Sequence, residues 1–71
     1  MAQTPIRSPI VGMVSMVFVE TGATVAKDER VAEIECMKTF FGVTAPKAGV
    51  LKLRIEPGSY VGQDEVLGWV E

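Results

Sequence analysis

Histidine is missing from all 71 residues, and with it the side chain most often used to move protons near neutral pH. Cysteine occurs once, at Cys36, so no internal disulfide can form. Without histidine the chain also lacks a Cys/His metal set. A lone thiol fits a reducing compartment, cytoplasm or organelle matrix. Seven Lys and Arg stand against nine Asp and Glu, a net charge of −2. That balance argues against nucleic-acid binding, which needs clustered cations. The longest apolar stretch, Val14 to Val19, is interrupted by Ser15 and is far too short to span a bilayer. The opening Met1-Ala2-Gln3-Thr4-Pro5 shows no basic region followed by an apolar one, so no secretory signal is visible. Neither end carries a Pro/Ala- or Gly/Ser-rich linker.

What remains is a single small domain over residues 1–71. A chain of this length buries only about 60–65% of its unfolded surface, so its core must be compact. The carboxylates, from Glu20 to Glu71, neighbour turns or alternate with apolar residues. They read as a solvated surface rather than an acid/base pair. The expectation is a non-catalytic domain.

Strand periodicity dominates the chain, and no helical stripe competes with it. Leu51-Lys52-Leu53-Arg54-Ile55-Glu56 alternates apolar and charged residues, the signature of a half-buried antiparallel strand. Val14-Ser15-Met16-Val17-Phe18 reads the same way, with Val14, Met16 and Phe18 on the buried side. Ala32, Ile34 and Cys36 alternate with Glu33 and Glu35. Phe41, Val43 and Ala45 alternate in turn, and a last strand covers Val66 to Val70. Turn chemistry separates the runs at Ser8-Pro9, Glu20-Thr21-Gly22, Lys27-Asp28, Ala45-Pro46, Glu56-Pro57-Gly58 and Gly62-Gln63-Asp64. Short strands at this spacing predict a flattened barrel or sandwich.

The chain also approximately repeats itself. Ser8-Pro9-Ile10-Val11-Gly12 returns 37 residues later as Ala45-Pro46-Lys47-Ala48-Gly49. Gly22-Ala23-Thr24-Val25 returns 36 residues later as Gly58-Ser59-Tyr60-Val61, and Val31, Ile34 and Glu35 fall on Leu67, Val70 and Glu71. Between the halves lies Glu35-Cys36-Met37-Lys38-Thr39. Flanked by two alternating runs, Met37 and Lys38 should form the tip of a tight hairpin. Two-residue hairpin loops favour Asn-Gly or Asp-Gly because both central residues need φ > 0. Met-Lys breaks that rule, and such breaks concentrate at functional sites.

Pro9 and Gly12, Gly22 and Val25, Glu35 to Thr39, Ala45-Pro46 with Gly49, and Gly58 with Val61 together resemble the biotin carboxyl carrier family. Its biotinyl domains share a fold with lipoyl domains. The resemblance runs from about Ile6 to Val70. It implies an all-β, flattened eight-stranded barrel of two quasi-symmetric four-stranded antiparallel sheets. It implies that Lys38 is the residue acylated by biotin, with Glu35, Met37, Thr39 and Phe40 around it read by partner proteins. Those partners would be a biotin protein ligase, then biotin carboxylase and carboxyltransferase subunits or domains. Of the adjacent Phe40 and Phe41, one should face the core and the other the surface. A free lysine amine is protonated at neutral pH, and nothing in the sequence beside it would remove the proton. The ligase must do so.

Two positions depart from the family pattern. Cys36 stands where alanine is usual, a change of similar size. Thr39 stands where a methionine follows the lysine, half of the biotin signature. Lipoyl domains carry Asp-Lys-Ala there, and Met37 favours biotin. Only seven residues separate Val14 from Gly22, which leaves no room for the protruding thumb of bacterial acetyl-CoA carboxylase carriers. The resemblance is therefore to thumbless carriers, whether excised or free-standing. Two other readings stay open: a lipoyl carrier of a 2-oxo acid dehydrogenase complex, and an unmodified small barrel used as an interaction module.

Overall fold

A computed structural model describes residues 3–71; Met1 and Ala2, where the segment inspected for a signal begins, lie outside them. The described chain is all β, with eight strands: β1 (Thr4–Arg7), β2 (Gly12–Val17), β3 (Thr24–Val25), β4 (Arg30–Cys36), β5 (Thr39–Thr44), β6 (Gly49–Leu53), β7 (Tyr60–Val61) and β8 (Val66–Val70). They form two antiparallel four-stranded sheets, ordered β1-β8-β6-β3 and β5-β4-β2-β7. Adding four to each strand number converts one order into the other, so the sequence repeat is a structural pseudo-two-fold. Each sheet draws two strands from each half of the chain, which is why neither half could bury its apolar face alone.

The symmetry reaches single hydrogen bonds. The Gly22 amide donates to the Leu51 carbonyl (2.6 Å) as the Gly58 amide donates to that of Val14 (2.8 Å). The Asp28 amide donates to Ala45, as that of Asp64 does to Ser8, both at 2.8 Å. The turns repeat as well: φ is +92° at Gly22 and +94° at Gly58, and 70° at Asp28 and 65° at Asp64. Glycine and aspartate are residues that tolerate this left-handed backbone at low cost. The Glu29 carboxylate caps one such turn by accepting from the Ala26 amide (2.9 Å), and Glu65 does the same for Gly62 (2.8 Å).

The core is assembled from repeat-related pairs: Val14 with Leu51, Val25 with Val61, Val31 with Leu67, Ile34 with Val70, and Ile6 with Val43, all buried. Each such side chain contributes on the order of 1.5–3 kcal/mol by leaving water. Ser8 and Ala45 are a further buried pair, and the Ser8 hydroxyl is satisfied by donating to the Ile10 carbonyl at 2.6 Å. Gly12 and Gly49 let strands meet closely. A Cβ at Gly12 would collide with the Glu35 carbonyl oxygen, and one at Gly49 with that of Glu71.

Two expectations are corrected. Met16 and Phe18 are exposed (51% and 45%), not buried with Val14. A β-bulge shifts the register between Val14↔Ile34 and Met16↔Glu33, so the extra residue, Ser15, reverses the alternation. Val17 packs on the core instead. The run of charge alternation over residues 51–56 is strand only to Leu53, although Ile55 still packs on the core.

Candidate functional site

β4 and β5 form the longest paired hairpin, in register from Ala32↔Val43 to Cys36↔Thr39. That register leaves Met37 and Lys38 as a two-residue loop. Their φ angles are +49° and +65°, so both central residues occupy the left-handed region, as type I′ hairpin turns require. For ordinary L-residues this costs roughly 1–2 kcal/mol each, and here the sequence offers neither asparagine nor glycine to lower it. The surrounding sheet holds the strained loop in place. At its base the bare Cα of Gly12 admits the Glu35 backbone, docking β4 against β2 one turn below the tip.

The loop carries its side chains into solvent. Lys38 is exposed and Met37 is 92% exposed. Thr39, the first residue of β5, is exposed too. Cys36 is half-buried with a free thiol. Glu35 is half-buried on the outer face of β4, opposite Phe40, which is 56% exposed. Phe41 pairs with the fully buried Ile34 and is half-buried. The split between the two phenylalanines thus follows the strand alternation. Glu35, Met37, Lys38, Thr39 and Phe40 form one contiguous patch.

Two clefts of the domain lie away from this patch. One cleft of about 240 Å³ runs between the β1 and β5 edges (Pro5, Arg7, Gly42, Thr44). Another, of about 620 Å³, is lined by Val17, Phe18, Leu53 and Ile55. Neither includes a residue of the hairpin tip. No group of His, Cys, Asp or Glu suited to a metal ion occurs among the described residues, and no helix of theirs is long and apolar enough to cross a membrane. An exposed primary amine at the tip of a two-residue turn is open to reaction from solvent.

A model of the family described as "Biotin-requiring enzyme" matches residues 4–70. The chain belongs to that family. It is a biotinyl domain, a biotin carrier of the kind found in biotin-dependent carboxylases, and its cofactor is biotin. An acetyl-CoA carboxylase of Schizosaccharomyces pombe is 34% identical over 65 residues, which is 92% of this chain and 3% of the relative. An acetyl-CoA carboxylase of Cryptosporiopsis is 32% identical over the same length, again 92% and 3%. The chain therefore spans a small fraction of the curated relatives it matches. Among solved structures, the urea carboxylase of Kluyveromyces lactis superposes with a TM-score of 0.91 at 22% identity, over 100% of this chain and 6% of that one. A single-chain, multi-domain long-chain acyl-CoA carboxylase gives 0.82 at 26% identity, over 96% and 7%.

In the biotinyl domain, two residues that sequence reasoning did not single out lie across the sheet from the hairpin. Met13 pairs with Glu35 on one side and with Tyr60 on the other, and Tyr60 is 82% exposed. The signal available was the aromatic residue at a variable position of Gly58-Ser59-Tyr60-Val61, where alternation with buried Val61 puts it outside. Which strands lie beside β4 was not legible from that motif.

Proposed function

We propose that Lys38 is the attachment residue, and that residues 1–71 act as one carrier domain with no catalysis of their own. The observation that carries this is the left-handed Met37-Lys38 tip, which presents an amine at a strained, exposed loop within Glu35–Thr39. A biotin protein ligase would offer biotin with its carboxyl group activated. Lys38 Nζ attacks that carbon, an amide bond forms, the activating group departs with the bond it loses, and a proton from Nζ passes to a base of the ligase. The domain's part is to hold Nζ clear of its own surface and fix the approach.

Biotin, once attached, supplies a ring that takes up a carboxyl group at one active site and gives it up at another. The sites we infer are those of biotin carboxylase and carboxyltransferase. The tether makes both encounters effectively intramolecular, with an effective concentration of about millimolar for a short flexible link. The fixed turn limits the freedom of the arm to its side-chain and cofactor bonds. The carboxyl acceptor is chosen by the carboxyltransferase, not by this domain. The free Cys36 thiol favours a reducing compartment, cytoplasm or organelle matrix.

The test is a transfer assay with purified ligase, ATP and biotin, read by avidin binding. The wild type should become avidin-reactive, and Lys38→Arg should not, although it keeps charge and length. Equal labelling of Lys38→Arg would refute the assignment.

A further inference from the structure

The pseudo-two-fold supplies a control inside the molecule: away from the bulge in β2, strand positions of the lysine-bearing sheet have counterparts in the other sheet with the same pairing. One row crosses the outer face of that sheet as Phe40–Glu35–Met13–Tyr60, each residue the registered partner of the next. Its counterpart on the other sheet is Gln3–Glu71–Val50–Thr24. That row is equally real: Thr24 pairs with Val50, Val50 and Glu71 exchange backbone hydrogen bonds (3.1 and 2.9 Å), and the Gln3 amide donates to the Glu71 carboxylate at 3.0 Å. The fold is satisfied with glutamine, valine and threonine at these places. On the lysine side it carries phenylalanine, methionine and tyrosine.

The contrast extends to the rest of the surface. The exposed large apolar residues among those described are Val11, Met16, Phe18, Met37, Phe40 and Tyr60. All belong to β2, β5, β7 or the segments adjoining them, so the sheet that carries Lys38 holds the whole set. Exposed apolar residues concentrated in this way mark interaction surfaces.

We propose that Met13 and Tyr60, with Phe40, extend the docking surface for the biotin protein ligase across the sheet from the hairpin to β7. The proposal rests on Lys38 being the acceptor. Distance chooses the occupant. Glu35 lies three residues before Lys38, roughly 10 Å at strand rise, and Phe40 two after it. Met13 and Tyr60 follow one and two strands across, roughly 5 and 10 Å further. All four are still within the footprint of a standard protein interface centred on Nζ. An enzyme reacting at Nζ itself must cover the row, whereas one reacting at the far end of the cofactor arm is held away by the arm. Glu35 is the only charge in the row, so the ligase face it fits is apolar around one cation.

The test exchanges each residue for its own counterpart, Phe40→Gln, Met13→Val and Tyr60→Thr together, so every substitution is one this fold already accommodates. The reverse exchange, Gln3→Phe with Thr24→Tyr, is the control. With purified biotin protein ligase, the triple variant should raise the KM for the carrier about tenfold, with kcat unchanged and the melting temperature kept. Loss of uniform binding has that signature. The control should match wild type. A triple variant within twofold of wild type overturns the proposal while leaving the carrier function standing. So does normal biotinylation combined with impaired carboxylation by a biotin carboxylase, which would assign the row to that enzyme. A wild-type protein that accepts no biotin overturns both.

Discussion

The Met37-Lys38 turn makes the sharpest prediction about stability. Replacing it with Asn-Gly, as Met37→Asn with Lys38→Gly, matches the residues to backbones at φ +49° and +65°. Two ordinary residues in the left-handed region cost roughly 2–4 kcal/mol together. Glycine returns roughly 0.5–1 kcal/mol of that by loosening the unfolded chain. Exposure of both side chains means little packing is lost. The net gain should be about 2 kcal/mol. A domain of this size has a total stability of about 4–10 kcal/mol and moves about 4–8 °C per kcal/mol, so Tm should rise by about 10 °C. Met37→Asn alone keeps the lysine and should give about half of that. Thermal and urea unfolding can be followed through Trp69, the sole tryptophan, half-buried on β8. The doubly substituted protein should also be inert to the ligase, so that stability and function move oppositely. An unchanged or lowered Tm would mean that the turn stores no strain, and the reading of Met-Lys as a local rule broken for function would fall.

Lys38→Ala should leave Tm within about 2 °C of wild type, since it exchanges one L-residue for another at an exposed left-handed position; differential scanning calorimetry checks this. Thr39→Met should speed biotinylation modestly with stability nearly unchanged, because residue 39 is exposed at the start of β5; initial rates with the ligase decide it, and an unchanged rate would make the departure neutral. Gly12→Ala and Gly49→Ala each drive a Cβ into a backbone carbonyl, of Glu35 and Glu71 respectively, and each should cost about 1–3 kcal/mol in urea titrations. Only Gly12 lies beneath the hairpin, so at temperatures where both variants are folded only Gly12→Ala should slow modification.

The architecture was legible because the repeat and the strand period agree. Val66–Val70 and the Leu51/Leu53 face appear in the structure where alternation puts them, and Val25 and Val61 are buried behind the glycines that mark their turns. Met16 and Phe18 misled because a single inserted residue, Ser15, inverts every side chain beyond it, and a bulge leaves no mark in an apolar/polar pattern. β3 and β7, with two residues each, are too short to display a period. β1 was hidden by Pro5, which an edge strand tolerates and a central one does not. Lys38 stood out because its neighbours are poor turn formers at a place where the chain must turn. Met13 and Tyr60 did not, because they reach the lysine's side of the sheet through strand pairing between residues 22 apart (Met13 with Glu35) and 47 apart (Tyr60 with Met13), and register is written in the sheet rather than in either segment.

The account centres on a biotin carrier acylated at one residue, and intact mass with peptide mapping tests that most directly. The protein is incubated with a biotin protein ligase, ATP and biotin, and separately with a lipoate ligase and lipoate, beside Lys38→Ala in each case. The account predicts one biotinyl-sized increment, mapped to Lys38 and absent from the variant, and no lipoyl increment. A lipoyl increment without a biotinyl one, or a biotinyl increment that survives Lys38→Ala, would contradict it.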